Sequence, residues 1–186
     1  MKNRCEWVNL QDELCVKYHD EEWGVETHDD RLLFEMLILE GAQAGLSWKT
    51  VLKKRANYKI AFDNFDPIKV AEYGDKKIAE LLQNKRIIRN QLKIKSAIRN
   101  AKTFLDIQRE YGSFDKYIWN FVNGKPIVNN WKSISEIPAK TELSEIISKD
   151  LKKRGMNFVG STIVYAFLQA IGIVNDHTVN CFKKVN

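Results

Sequence analysis

No run of apolar residues in this chain approaches the roughly 18 that a membrane-crossing helix needs. The opening stretch MKNRCEWVNLQDE also lacks the apolar core of a signal peptide. A cytoplasmic protein with no membrane partner is therefore expected. No segment alternates apolar and polar residues long enough to make a half-buried strand, so no sheet is expected. Internal repeats, low-complexity tracts and long linkers are missing too, and only 123–138 reads as irregular. Cysteine is scarce: Cys5, Cys15 and Cys181 cannot all pair, which excludes a disulfide framework. Thiolate or buried-thiol roles remain for them.

What is present suits a globular helical protein. The 186 residues are 44% hydrophobic and 29% charged, enough for one domain with a sizeable core or for one domain split into two lobes. Lys and Arg number 30 against 24 acidic residues, a net charge of +6. That moderate excess is compatible with a nucleic-acid partner without requiring one.

Helix signals run nearly throughout. DDRLLFEMLILEG (29–41) starts acidic and reaches Gly41 after a long apolar run, the pattern of a buried helix. Ser47 is a candidate N-cap for SWKTVLKKRANYKIAF. Asp66 followed by Pro67 makes a cap-plus-first-turn start, with Gly74 closing that short helix. Farther on, Leu92, Ala97, Ile98, Ala101, Phe104 and Leu105 fall on one helical stripe. SISE (133–136) has the form of a capping box before a short turn ended by Pro138. TELSEIISKDLKKRG runs from a Thr141 cap to Gly155, with Leu143, Ile146, Ile147 and Leu151 inward. An all-α fold follows.

Four constellations carry possible chemistry. LKKRGMNFVGSTIVYAFLQAIG (151–172) reads as a helix, a tight turn holding Gly155 and Gly160, and a second helix starting at Ser161 or Thr162. Unpaired amides at that second start can hold a phosphate oxygen, with Lys152, Lys153 and Arg154 supplying positive charge. The alternative is an ordinary αα-hairpin with a solvated basic end. Trp7, Tyr18, Trp23 and Trp48 sit in polar contexts, which suits either core packing or an aromatic cage for a flat or cationic ligand. Glu40 ends the apolar run LLFEMLILE, so its carboxylate either reaches solvent or is partly buried and needs a partner. Finally, VNDHTVNC (174–181) sets His177 and Cys181 at i and i+4, ligand spacing for one ion on a helix face. Cys5 and His19 could complete a Cys2His2 set. Buried thiols and satisfied imidazoles are the plainer explanation from spacing alone.

Taken together, RCEWV (4–8), YHDEEWGV (18–25), LFEMLILEGAQAGLSWKTVLKKR (33–55), KRGMNFVGSTIVYAFLQAIGIVNDH (153–177) and Cys181 resemble the 3-methyladenine DNA glycosylase I family of bacterial base-excision repair enzymes. The resemblance spans nearly the whole chain. It implies one helix-hairpin-helix glycosylase domain over 1–186, two helical lobes with the base pocket between them, and the hairpin at about 143–172. It implies a structural zinc ion held by Cys5, His19, His177 and Cys181, which clasps the termini. Trp7, Tyr18, Trp23 and Trp48 become pocket aromatics, and Glu40 the catalytic carboxylate that reads the base edge. Gln43, Gly45 and Leu46 would lie at the DNA surface, with Leu46 as the wedge filling the gap left by a flipped nucleotide. Gly155, Phe158, Gly160, Ser161 and Thr162 would hold the DNA backbone. Cys15 falls where relatives often carry an aromatic pocket residue.

Two departures bear on mechanism. Many helix-hairpin-helix glycosylases carry an Asp in a V-D-x-H setting, where VNDH puts Asn175, with Asp176 one residue later. Ser161 and Thr162 follow Gly160 in place of a nucleophilic lysine, so a monofunctional enzyme without lyase chemistry is expected. Alkylation at N3 makes adenine a cation, so its glycosidic bond breaks to a neutral leaving group with little acid catalysis. The expectation is an enzyme that acts as a monomer on alkylated double-stranded DNA and releases 3-methyladenine. Rival readings are a catalytically weak DNA-damage-binding module on the same fold and a zinc-stabilised helical protein whose aromatic patch docks peptides.

Overall fold

Side-chain caps set most helix starts in the computed structural model, which describes residues 2–184. Asp12 accepts from the Cys15 amide ahead of α1 (Glu13–Glu21), and Asp29 from Leu32 ahead of α2 (Asp30–Gln43). Ser47 caps α3 (Trp48–Ala61), Asp66 with Pro67 starts α4 (Pro67–Ala71), and α5 (Asp75–Gln83) follows. Asn90 caps the long α6 (Gln91–Tyr111) and Ser113 caps α7 (Phe114–Asn120). Thr141 and Ser144 form a reciprocal capping box on α8 (Glu142–Lys153), and Gly160 opens α9 (Ser161–Ala170). Each cap satisfies amides that the first helical turn leaves unpaired.

Several expectations need correction. α2 runs through Gly41 to Gln43, because its apolar face stays buried to Ala42. Gly74 does not close α4, which ends at Ala71, but precedes α5 at its N-cap position. At 133–136 the Glu136 carboxylate accepts from the Lys132 amide, and Ser133 makes no cap bond. Leu92 is 69% exposed because it lies in the first turn of α6, beyond the core; Leu105 is half-buried, and Ile94 and Ile107 complete the buried stripe. On α8, Ile147 and Leu151 are buried, Leu143 is partly so, and Ile146 faces out. Among the described residues there is one parallel strand pair, β1 (Ile127–Val128) with β2 (Val174–Asn175); two residues per strand are too few for alternation to show.

The fold class stands as all-α. A large core gathers α2, α6, α8 and α9 around Leu33, Phe34, Phe104, Leu151 and Phe167. A smaller cluster of Cys5, Val8, Tyr18, Trp23, Leu52 and Cys181 joins the N-terminal segment to the C-terminal one. The pair β1–β2 pins the irregular 123–138 stretch against the chain that leaves α9. That pinning brings Ile134 and Ile137 across from the aromatics of the first 48 residues.

Candidate active site and metal centre

The smaller cluster borders a cavity of about 290 Å³. Trp7, Tyr18, Trp23, Glu40, Gln43 and Trp48 line it, so the structure gathers residues that are up to 41 positions apart in the chain. Ile134, Ile137, Ala166 and Gln169 complete the wall. Sequence reading missed those four: Ile134 and Ile137 lie in a stretch without periodicity, and Ala166 and Gln169 look like ordinary helix residues. Ring centroids of Trp7 and Trp23 are 5.1 Å apart edge-on, and those of Tyr18 and Trp48 are 5.1 Å apart. Among the described residues, the indole N–H groups of Trp7 and Trp48 are buried without a partner. They remain available as donors to a ligand.

Glu40 is 4% exposed. Burial pushes its carboxyl up to about 8, and among the described residues no cation or hydrogen-bond donor compensates the lost hydration. With a value of about 8, Glu40 is largely protonated at neutral pH. A bound cation would favour the carboxylate and expel that proton.

Neither Asn175 nor Asp176 lines this cavity. The Asn175 side chain turns back to accept from the His177 amide at 3.2 Å. Asp176 is fully buried and accepts four hydrogen bonds, from Asn129, Trp131, Tyr165 and Gln169. It tethers the irregular stretch to α9 and is already saturated with donors.

Cys5, His19, His177 and Cys181 are all buried, and their ligand atoms lie within 4.8 Å of one another. Cys181 Sγ is 3.4 Å from His19 Nε2 and 3.5 Å from His177 Nδ1, and Cys5 Sγ is 3.5 Å from His177 Nδ1. A tetrahedron with Zn–S of about 2.3 Å and Zn–N of about 2.0 Å has S···N edges of about 3.5 Å. The donor set and its spacing therefore fit zinc. The outer ring nitrogens are engaged as well: His19 Nδ1 pairs with Asp20 at 2.8 Å, and His177 Nε2 donates to the Trp23 carbonyl at 2.9 Å. Those partners leave His19 Nε2 and His177 Nδ1 to face the ion. Arg4 in turn grips Asp20 through two hydrogen bonds, which holds that carboxylate well below its usual range. One expectation fails in detail: His177 and Cys181 do not share a helix. They lie in a turn closed by the Cys181 amide donating to the Thr178 carbonyl at 2.8 Å.

The hairpin carries the remaining candidates. Gly155 has φ +107° and Phe158 φ +54°, so the chain turns sharply between α8 and α9. No side chain caps α9, and Ser161 and Thr162 sit at its open start. A side chain added at Gly41 would meet Phe158 at 3.4 Å, so this turn packs against the end of α2. Just beyond, Gly45 has φ +74° with open space around it, and Leu46 is 41% exposed. The hairpin turn and the 43–46 loop therefore adjoin one another beside the cavity to which Gln43 contributes.

Comparison with known proteins agrees with this arrangement. The family model described as Methyladenine glycosylase matches residues 7–184. The chain is 51% identical to DNA-3-methyladenine glycosylase 1 of Escherichia coli (strain K12) over 178 residues, covering 96% of this chain and 95% of that one. A crystal structure of 3-methyladenine DNA glycosylase I superposes with TM-score 0.95 at 49% identity, covering 98% and 100% of the two chains. A single-residue variant of 3-methyladenine DNA glycosylase I in complex with 3-methyladenine superposes with TM-score 0.95 at 35% identity, covering 99% and 98%. The chain belongs to the methyladenine glycosylase family.

Proposed function

We propose that this protein repairs alkylated double-stranded DNA by hydrolysing the N-glycosidic bond of 3-methyladenine, releasing the free base and leaving the strand uncut. The observation that carries the reading is the cavity: four aromatic residues around a buried, uncompensated carboxyl. Such a cavity suits a flat cation. Stacking binds any purine, but only a positively charged one relieves the desolvation of the Glu40 carboxylate. Normal adenine, being neutral, gains stacking alone. Specificity then comes from charge and not from shape.

The chemistry needs little more. Positive charge on the alkylated base already weakens the glycosidic bond, and the leaving group departs neutral. Glu40 holds the base through its edge and stabilises charge as it shifts from base to sugar. Trp7, Tyr18, Trp23 and Trp48 supply the stacking faces, and the unpaired indole N–H groups can donate to ring nitrogens. Leu46, with Gln43 and Gly45, fills the gap left by the flipped nucleotide. Gly155, Phe158, Gly160, Ser161 and Thr162 hold the backbone at the open start of α9. The base pocket divides one domain into two helical lobes, and a single chain carries every part, so a monomer suffices.

Zinc is the ion we assign to Cys5, His19, His177 and Cys181. With four protein ligands it would have no open position, and it would supply cross-linking of the termini with no part in the reaction. The test of the function is product analysis after incubation with methylated duplex DNA. Free 3-methyladenine together with intact, heat-labile strands is expected. DNA binding without base release would leave only a damage-binding module.

A further inference from the structure

α6 carries a polar stripe that the site described above does not use. Lys93, Ser96, Asn100 and Thr103 follow one another at helical spacings of three, four and three along one face. Ser96, Asn100 and Thr103 are at most 6% exposed. Each of the four residues bonds to backbone far away in the chain. Lys93 Nζ donates to the carbonyls of Ala42 at 2.8 Å and Ala44 at 2.6 Å. Ser96 Oγ donates to the Asn157 carbonyl at 3.2 Å. Asn100 grips Asn157 from both sides, donating to its carbonyl at 2.9 Å and accepting from its amide at 2.9 Å. Thr103 Oγ1 donates to the Arg154 carbonyl at 3.5 Å.

Every one of these backbone groups belongs to one of two loops. Ala42 and Ala44 flank Gln43 and lead into Leu46; Arg154 and Asn157 frame the hairpin turn. On the proposal above, the first loop enters the duplex and the second holds its backbone. We infer that Lys93 and Asn100 are positioning residues, and that α6 holds the wedge loop and the hairpin at the fixed separation a kinked duplex requires. Lys93 suits this role. The last carbonyls of α2 have no intrahelical donors, and an ammonium placed there satisfies two of them while complementing the helix dipole. Asn100 suits its own role, since a carboxamide sets an N–H donor beside a carbonyl acceptor and so matches both the carbonyl and the amide of Asn157. A chain that needed only to fold could leave these carbonyls to water. Here a buried helix face is given over to them instead.

The inference rests on the assignment of those loops to DNA, so the experiment separates the two. Affinity for a duplex containing a stable abasic analogue is measured for wild type, Lys93→Met, Leu46→Ala and the double variant. Affinity for free 3-methyladenine is read in parallel from tryptophan fluorescence. Lys93→Met keeps the aliphatic stem and removes the donors at a partly exposed position. Its melting temperature is measured beside that of the wild type to check that the fold is kept. Expected is a loss of about tenfold in duplex affinity, the scale of charge-assisted bonds removed, with free-base affinity unchanged. Leu46→Ala should then cost less in the Lys93→Met background than in wild type, because a displaced wedge has less left to lose. Lys93→Met binding the duplex like wild type while Leu46→Ala weakens it overturns the inference and spares the loop assignment. Equal losses for duplex and free base would show a general disturbance and also overturn it. If Leu46→Ala has no effect on duplex affinity, the loop assignment fails and the inference falls with it.

Discussion

At the scale of single residues, Glu40 is a buried carboxyl in the cavity wall. Its folded-state value of about 8 lies above the ordinary 4.5. The folded protein therefore binds more protons than the unfolded chain between those values, and stability falls as pH rises through that window. Replacing the carboxyl removes the penalty. Glu40→Gln is expected to raise the melting temperature of the ligand-free protein at pH 9, by an amount reflecting a few kcal/mol. At pH 4, where both states carry a protonated carboxyl, the difference should nearly vanish. A pH-independent difference would mean that Glu40 is compensated in the folded protein. The sequence marked this residue as a candidate at the end of LLFEMLILE but left open whether it reached solvent; the continuation of α2 to Gln43 is what keeps it buried. Asp176 gives no comparable signal: its four donors come from residues 7 to 47 positions away and leave no sign in VNDH.

At the scale of elements, caps and turns were readable because they are local. Asp66–Pro67, Ser47 and Thr141 act on amides within three residues. The stripe on α6 was not readable, since Ser96, Asn100 and Thr103 look like a solvated face until the hairpin is placed over them. Burial of Ala97 and Ala101 showed where the helix packs but not what its polar side holds. The turn after α9 offers a sharp test. Gly172 has φ +77°, and an added Cβ would fall 2.3 Å from the Val25 carbonyl carbon. Gly172→Ala combines backbone strain with a clash against main chain that cannot rotate away. A loss on the order of 3 kcal/mol is expected in denaturant unfolding. Gly45→Ala meets nothing within 4 Å and should cost less, through its φ of +74° alone. Comparable losses for the two would contradict the packing of 24–26 against the α9 turn.

At the scale of the whole molecule, the Cys2His2 cluster joins the two ends of the chain and also backs the cavity. His177 lies 4.7 Å from the Trp23 ring and donates to its carbonyl, while His19 lies 5.4 Å from Trp7. Zinc bound there would stiffen the aromatic wall as well as tie the termini. Protein purified without added metal is expected to contain about one zinc per chain. Strong chelation should lower both its melting temperature and its affinity for 3-methyladenine. Substoichiometric metal in folded protein, or a melting temperature indifferent to chelation, would count against the clasp. The resemblance grouped these four residues, and the structure brings them together. Spacing alone could not, because Cys5 and His177 are 172 positions apart and meet only through the fold.

If a charged purine is excised through a pocket organised around Glu40, single-turnover release of 3-methyladenine from methylated duplex DNA should separate the wild type from Glu40→Gln. Release by the wild type is expected, with a rate about 10²-fold lower for the variant, the usual scale for removing an electrostatic stabiliser. Equal rates for the two proteins, or no release by a wild type that still binds the DNA, would contradict that reading.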